Sequence, residues 1–405
     1  MADIKAYQIS IKDSDISDLK DRLSRARFPD ELEAAAWDLG TPLGDVKRLT
    51  QHWAETFDWR RAEAELNKFP QFTTPVQADG FEPLELHFIH QRSEAANAIP
   101  LLFVHGWPGS FLEGTKIIRP LAEGGDRHPA FHVVVPSLAN YGFSEGTKKR
   151  GFSIDQHAEV LNQLMLKLGY GEYVTQGGDW GWAITRAMAK NYPQHSKAQH
   201  FNIAPARPPP FLKHPLLAIQ SAVTPWTEQE KQAMGRTQWF MKEGNGYGQV
   251  HSTKPQTLGY ALSDSPVALL GWIYEKLRDW TDAYPWTDDE ILTWISIYWF
   301  STAGPAASIR LYYENRHDTD AAGAEAWTRL MEWQNSKVGL GIFPKDIFMP
   351  PKPWTHQLGK VIYQKNHRSG GHFAAWERPE AIIGDLREMF GEKGGARGVV
   401  KESRL

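Results

Sequence analysis

At 405 residues the chain is long for one domain, so a core with an insertion or a second unit is expected. Its 41% hydrophobic and 23% charged content is that of a globular protein able to bury a large core, and a net charge of −3 gives no electrostatic case for nucleic acid or an anionic membrane as partner. The absence of cysteine excludes both a disulfide framework and a thiolate metal site.

The start, Met1-Ala2-Asp3-Ile4-Lys5, has no signal-peptide apolar run, and no Asn-x-Ser/Thr acceptor occurs. No uninterrupted apolar stretch approaches the roughly 18 residues of a membrane span. A soluble, intracellular protein is expected. The many Trp and Tyr residues suit core packing or an aromatic-lined pocket.

Residues 1–95 read as helices and loops. Ile16, Leu19, Leu23 and Ala26 recur at helical spacing, with Ser14 or Asp15 available as a cap. A second amphipathic helix starts near Asp45 and carries Val46, Leu49, Trp53 and Phe57 on one face. Residues 96–205 alternate strand and helix. Leu101–Val104 and Phe131–Val135 are the near-continuous apolar runs of buried parallel strands, and an α/β architecture with a mostly parallel sheet follows. At Pro208-Pro209-Pro210 this pattern breaks, and residues 206–325 read as an inserted helical lid. Strand-like sequence returns at Gly339–Phe343 and Lys360–Gln364, a helix closes the core over Pro379–Phe390, and residues 392–405 read as a flexible, exposed tail.

Gly177-Gly178-Asp179-Trp180-Gly181 lies between a predicted strand, Tyr173–Gln176, and a predicted helix. This strand-turn-helix context is that of a nucleophile elbow, with aspartate where serine is usual. Serine attacking an sp3 carbon would form an ether that resists hydrolysis. A carboxylate forms an ester, which water can cleave at its carbonyl. Aspartate here therefore points to epoxide opening or halide displacement, although Asp179 read alone also suits a helix N-cap.

In this fold the triad acid and base follow the nucleophile in the chain. His372 in Gly370-Gly371-His372-Phe373 follows the last predicted strand, and Asp346 follows the one before it. Asp346 also suits a turn aspartate bonding its own backbone. The turn His105-Gly106-Trp107-Pro108-Gly109 ends another strand, and the Trp107 and Trp180 amides are candidates for an oxyanion hole.

These stretches together resemble the epoxide hydrolases of the microsomal type, within the α/β-hydrolase superfamily, over nearly the whole chain. The resemblance is carried by Arg25-Ala26-Arg27-Phe28-Pro29-Asp30, Phe57-Asp58-Trp59-Arg60, the 105–111 turn, Pro136-Ser137-Leu138 with Tyr141-Gly142-Phe143-Ser144, and the Asp179 elbow. Ser252-Thr253-Lys254-Pro255, Asp264-Ser265-Pro266-Val267 and Gly370–Ala375 also match. It implies an α/β-hydrolase fold with an N-terminal extension and helical lid, no cofactor or metal, and a small hydrophobic epoxide and water as substrates. It also implies two lid tyrosines that hold the epoxide oxygen. Tyr247 takes the first place; Tyr312 takes the second, with Tyr313 its neighbour and competitor.

Trp107 and Trp180 would also line the substrate site. Membrane-bound members begin with an anchoring helix that this chain lacks, so the soluble members are the nearer likeness. A homodimer through the lid would suit the family. The terminal Ser403-Arg404-Leu405 is a close variant of the peroxisomal tripeptide, which leaves cytoplasm and peroxisome as alternative addresses. A haloalkane dehalogenase shares the aspartate elbow, and would use the Trp180 indole to bind halide. Two tyrosines argue against it, because a departing halide needs no proton. A catalytically silent, ligand-binding relative is the reading of another class.

Overall fold

The computed structural model describes residues 3–125, 128–321 and 323–401. Among the described residues nine strands form one sheet: β1 (Lys5–Ala6), β2 (Gln71–Val76), β3 (Leu84–Gln91), β4 (Ile99–Val104), β5 (Phe131–Pro136), β6 (Tyr173–Gly177), β7 (Ser196–Phe201), β8 (Lys337–Ile342) and β9 (Lys360–Asn366). Their spatial order is β1-β2-β3-β5-β4-β6-β7-β8-β9. Every pair from β5 to β9 is parallel, and β1, β2 and β3 add antiparallel strands at one edge.

The parallel strands need cover on both faces, which is why β5 and β6 are buried at every residue. Helix Trp180–Asn191 packs on β6 and β7 and against helix Ile154–Lys167, while helix Thr115–Glu123 packs on β5 and against Pro379–Phe390. Chain order reverses at β4, which lies between β5 and β6. In open α/β sheets ligands bind outside the carboxyl ends of strands at such a switch point. Here those ends carry the 105–109 turn and Asp179.

Between β7 and β8 the chain runs through helices from Pro215 to His317. Helix Asp288–Trp299 is started by a reciprocal cap, in which Thr287 Oγ1 accepts the Glu290 N–H and the Glu290 carboxylate accepts the Thr287 N–H. No helix among the described residues is long and apolar enough to cross a membrane.

Several expectations are corrected. The first helix is Asp13–Ser24 with Lys12 at its N-cap and no side-chain cap; Ser14 and Asp15 sit inside the first turn, where Asp13 and Asp15 complement the helix dipole. The second helix ends at Glu55, so Phe57 is buried from the following loop. β2 and β3 lie within the stretch read as helices and loops. Phe72, Thr73, Thr74 and Val76 favour extended backbone, Pro75 interrupts the run and hides it, and pairing with β3 along the whole of β2 secures the strand. The end of the chain is not a free tail as far as residue 401. Ala396 is buried, Lys337 Nζ donates to the Gly395 carbonyl, and the Lys401 N–H donates to Glu172. Residues 403–405 lie outside the described residues.

Candidate active site

Asp179 sits between β6 and helix Trp180–Asn191 with φ 50° and ψ −128°, a conformation costly for any residue with a Cβ. Close packing of its neighbours sustains it. A Cβ on Gly181 would lie 1.9 Å from the Val104 carbonyl oxygen, so only glycine lets the helix approach β4. A Cβ on Gly106 would lie 2.2 Å from Asp179 Oδ1, so glycine there leaves room for the carboxylate. Asp179 thus stands in the turn just beyond the carboxyl end of β6.

Four contacts fix the carboxylate and its neighbours. The Trp107 backbone N–H donates to Asp179 Oδ1 over 2.8 Å. His372 Nε2 lies 3.4 Å from Asp179 Oδ2. On its other side His372 Nδ1 lies 2.7 Å from Asp346 Oδ1, which also accepts the Ile347 N–H over 2.6 Å. Burial alone would strip the proton from His372, but the carboxylates of Asp346 and Asp179 outweigh it and push the imidazole up to about 10. Trp180 opens its helix, so its N–H is one of the amides a helix leaves without an internal acceptor.

Tyr247 and Tyr312 come together above this row, with ring centroids 5.8 Å apart. Tyr247 stacks on the Trp107 indole at 5.0 Å, and Tyr312 meets the Trp180 indole edge-on at 4.8 Å. Both phenols are pushed above their ordinary range, by burial first and with Asp179 contributing, and so stay protonated. The Tyr312 hydroxyl is buried without a hydrogen-bond partner. Tyr313 turns outward instead: its hydroxyl accepts from Arg150 and its ring stacks on His317. All seven residues singled out in the sequence therefore converge on one place.

The sequence reading missed the supports. Trp294 Nε1 donates to the Pro108 carbonyl over 2.5 Å and the Tyr298 hydroxyl to the Gly109 carbonyl over 2.6 Å, so helix Asp288–Trp299 grips the turn that presents Trp107. Glu377 accepts the Gly371 N–H over 2.7 Å and the Asp282 N–H over 3.0 Å, and the His372 N–H donates to the Trp280 carbonyl over 2.8 Å. The loop bearing His372 is thereby tied to the inserted helices. His251 was missed as well. His251 stands four residues after Tyr247 on one helix, a spacing that already put both on one face. Among the described residues no group of three or more His, Asp or Glu is placed to hold a metal ion.

The fold and this arrangement define an α/β hydrolase with an aspartate at the elbow. Comparison with known proteins agrees: residues 99–241 match the model of the alpha/beta hydrolase fold, and residues 4–114 match that of the epoxide hydrolase N terminus. A protein of Stigmatella aurantiaca is 38% identical over 96% of this chain and 84% of its own length. Epoxide hydrolase 1 of Sus scrofa is 34% identical over 96% of this chain and 88% of its own. The structure of the Aspergillus niger epoxide hydrolase superposes with a TM-score of 0.81, at 33% identity and over 94% of each chain. The chain belongs to the epoxide hydrolase family.

Proposed function

We propose that the protein hydrolyses an epoxide to a vicinal diol through an ester on Asp179. The observation that carries this reading is the unbroken row from the Trp107 amide through Asp179 and His372 to Asp346, with two protonated tyrosines facing it.

Tyr247 and Tyr312 donate to the epoxide oxygen. Asp179 Oδ2 attacks a ring carbon, the ring C–O bond breaks, and its electron pair goes to the oxygen, which takes a tyrosine proton. An unassisted alkoxide is a poor leaving group near neutral pH, so these donors are where the acid catalysis resides. Oδ1, already held by Trp107, becomes the carbonyl oxygen of the ester.

Forming the ester removes the negative charge of Asp179. One of the two groups that hold the proton on His372 is then gone, its pKa falls, and the imidazole becomes a base. His372, oriented by Asp346, takes a proton from water as the water oxygen attacks Cγ of Asp179. The oxyanion on Oδ1 is stabilised by the Trp107 and Trp180 amides. Collapse breaks the Cγ–Oδ2 bond, the leaving oxygen takes the proton held by His372 to give the diol, and the proton of the re-formed Asp179 carboxyl returns to the tyrosine.

Mass spectrometry of the wild type and His372→Gln mixed with styrene oxide tests the reading. Diol from the wild type and substrate mass on an Asp179 peptide of the variant are expected. Reaction with 1-haloalkanes but with no epoxide of a panel would overturn it in favour of dehalogenation.

A further inference from the structure

His251 is fully buried on helix Gly246–Thr253, one turn beyond Tyr247. Its ring meets Trp107 at 4.7 Å, Tyr312 at 4.8 Å and Tyr247 at 5.4 Å, all nearly edge to face. Its Nε2 lies 3.0 Å from Nε1 of Trp272. An indole N–H can only donate, so Nε2 must be the accepting, unprotonated nitrogen. A neutral imidazole then carries its one proton on Nδ1. An imidazolium would put a proton on Nε2 facing the indole hydrogen. Lys276, whose Nζ lies 5.1 Å over the Tyr247 ring and 5.3 Å over the Trp272 ring, is the cation that faces this group and opposes a second positive charge. Burial and Lys276 both push the imidazole down, to about 3.

The consequence is a donor without an acceptor. Nδ1 is buried and has no hydrogen-bond partner. Leaving such a group unpaired is costly, because it has given up its hydrogen bond to water without gaining another. Its ring neighbours are Trp107, Tyr247 and Tyr312, the aromatic groups gathered beside Asp179, and neither tyrosine hydroxyl accepts from it. We propose that His251 Nδ1–H is a specificity-determining donor that binds an oxygen on the substrate's side arm, so that the preferred substrates are epoxides bearing an ether, hydroxyl or carbonyl oxygen near the ring. This rests on the epoxide reading of the site and deepens it.

Butyl glycidyl ether and 1,2-epoxyoctane differ by one oxygen in place of one methylene, and make a matched pair. Wild type should favour the ether in kcat/KM. In His251→Phe the ratio of ether to hydrocarbon should fall roughly five- to tenfold, the value of one neutral hydrogen bond, whatever happens to the absolute rates. His251→Gln, which keeps both an acceptor for Trp272 and a donor, should restore most of the ratio. A ratio that stays the same while both rates move together would mean a merely structural ring and would overturn the proposal. Histidine-selective 15N NMR of the wild type, assigned against His251→Gln, judges it independently of how the variants fold. A proton on Nδ1 alone from pH 5 to 9 is expected, and a proton on Nε2 overturns it. Hydrolysis of neither epoxide by wild type would strike the epoxide reading itself, and the proposal would fall with it.

Discussion

Trp107 donates its backbone N–H to Oδ1 of Asp179 over 2.8 Å, so the carboxylate rests with one oxygen already in the place where an ester carbonyl would need support. The other oxygen is left to His372 and the substrate. This division is a preorganised one: no donor has to be recruited when charge develops on Oδ1.

The first prediction concerns the two tyrosines. In the proposed mechanism both hydroxyls serve one epoxide oxygen, so Tyr247→Phe and Tyr312→Phe should each slow ring opening by about 10²-fold, and the double variant should lose it. Stopped-flow measurement of the tryptophan fluorescence change on mixing with substrate reads that step. Tyr313→Phe should leave it unchanged, since Tyr313 faces Arg150 and His317.

A second prediction follows from charge. His372 is pushed up in the free enzyme by Asp346 and Asp179 against the effect of burial, and the proposed ester would neutralise Asp179. Decay of the ester in a single turnover should therefore rise with pH and level off below about pH 10, the free-enzyme value. Asp346→Asn should move the midpoint lower still and slow the plateau. A decay rate flat from pH 5 to 10 would contradict His372 as the base.

Much of this site was legible in the sequence, because a strained elbow demands small neighbours and a triad in this fold has a set chain order. Gly177, Gly178 and Gly181 announced Asp179, and loops after two strands announced Asp346 and His372. The supports were not legible. Glu377 matters only because folding brings Gly371 and Asp282 to it, and Trp294 only because its helix crosses the 105–109 turn. β2 escaped notice because Pro75 interrupts its β-favouring residues, and the pairing with β3 that secures it is visible only in the fold.

Glu377 provides a third prediction. Burial raises its carboxyl to about 7, with the Asp282 and Gly371 amides pulling partly the other way. Raised above its unfolded value, it contributes stability that is present below about pH 4.5 and lost as pH rises through about 7. Melting temperature should decline across that window, and Glu377→Gln should flatten the decline. The same variant should lower kcat more than it changes KM, because it loosens the loop that carries His372.

Glycine substitutions separate close approach from mere flexibility. Gly181→Ala places a methyl against the Val104 carbonyl and should destabilise the fold by about 3 kcal/mol in urea titration. Gly271→Ala, inside helix Pro266–Asp279 with nothing within 4 Å of an added Cβ, should instead stabilise by about 0.5–1 kcal/mol.

The central claim is that Asp179, not water, makes the first bond to the substrate, and one isotope experiment reads it directly. A single turnover with excess enzyme in H2(18)O, followed by mass spectrometry of the diol and of the Asp179 peptide, should give unlabelled diol and an 18O atom in the Asp179 carboxylate. An 18O-labelled diol with an unlabelled Asp179 in that first turnover would mean direct attack by water and would contradict the ester mechanism.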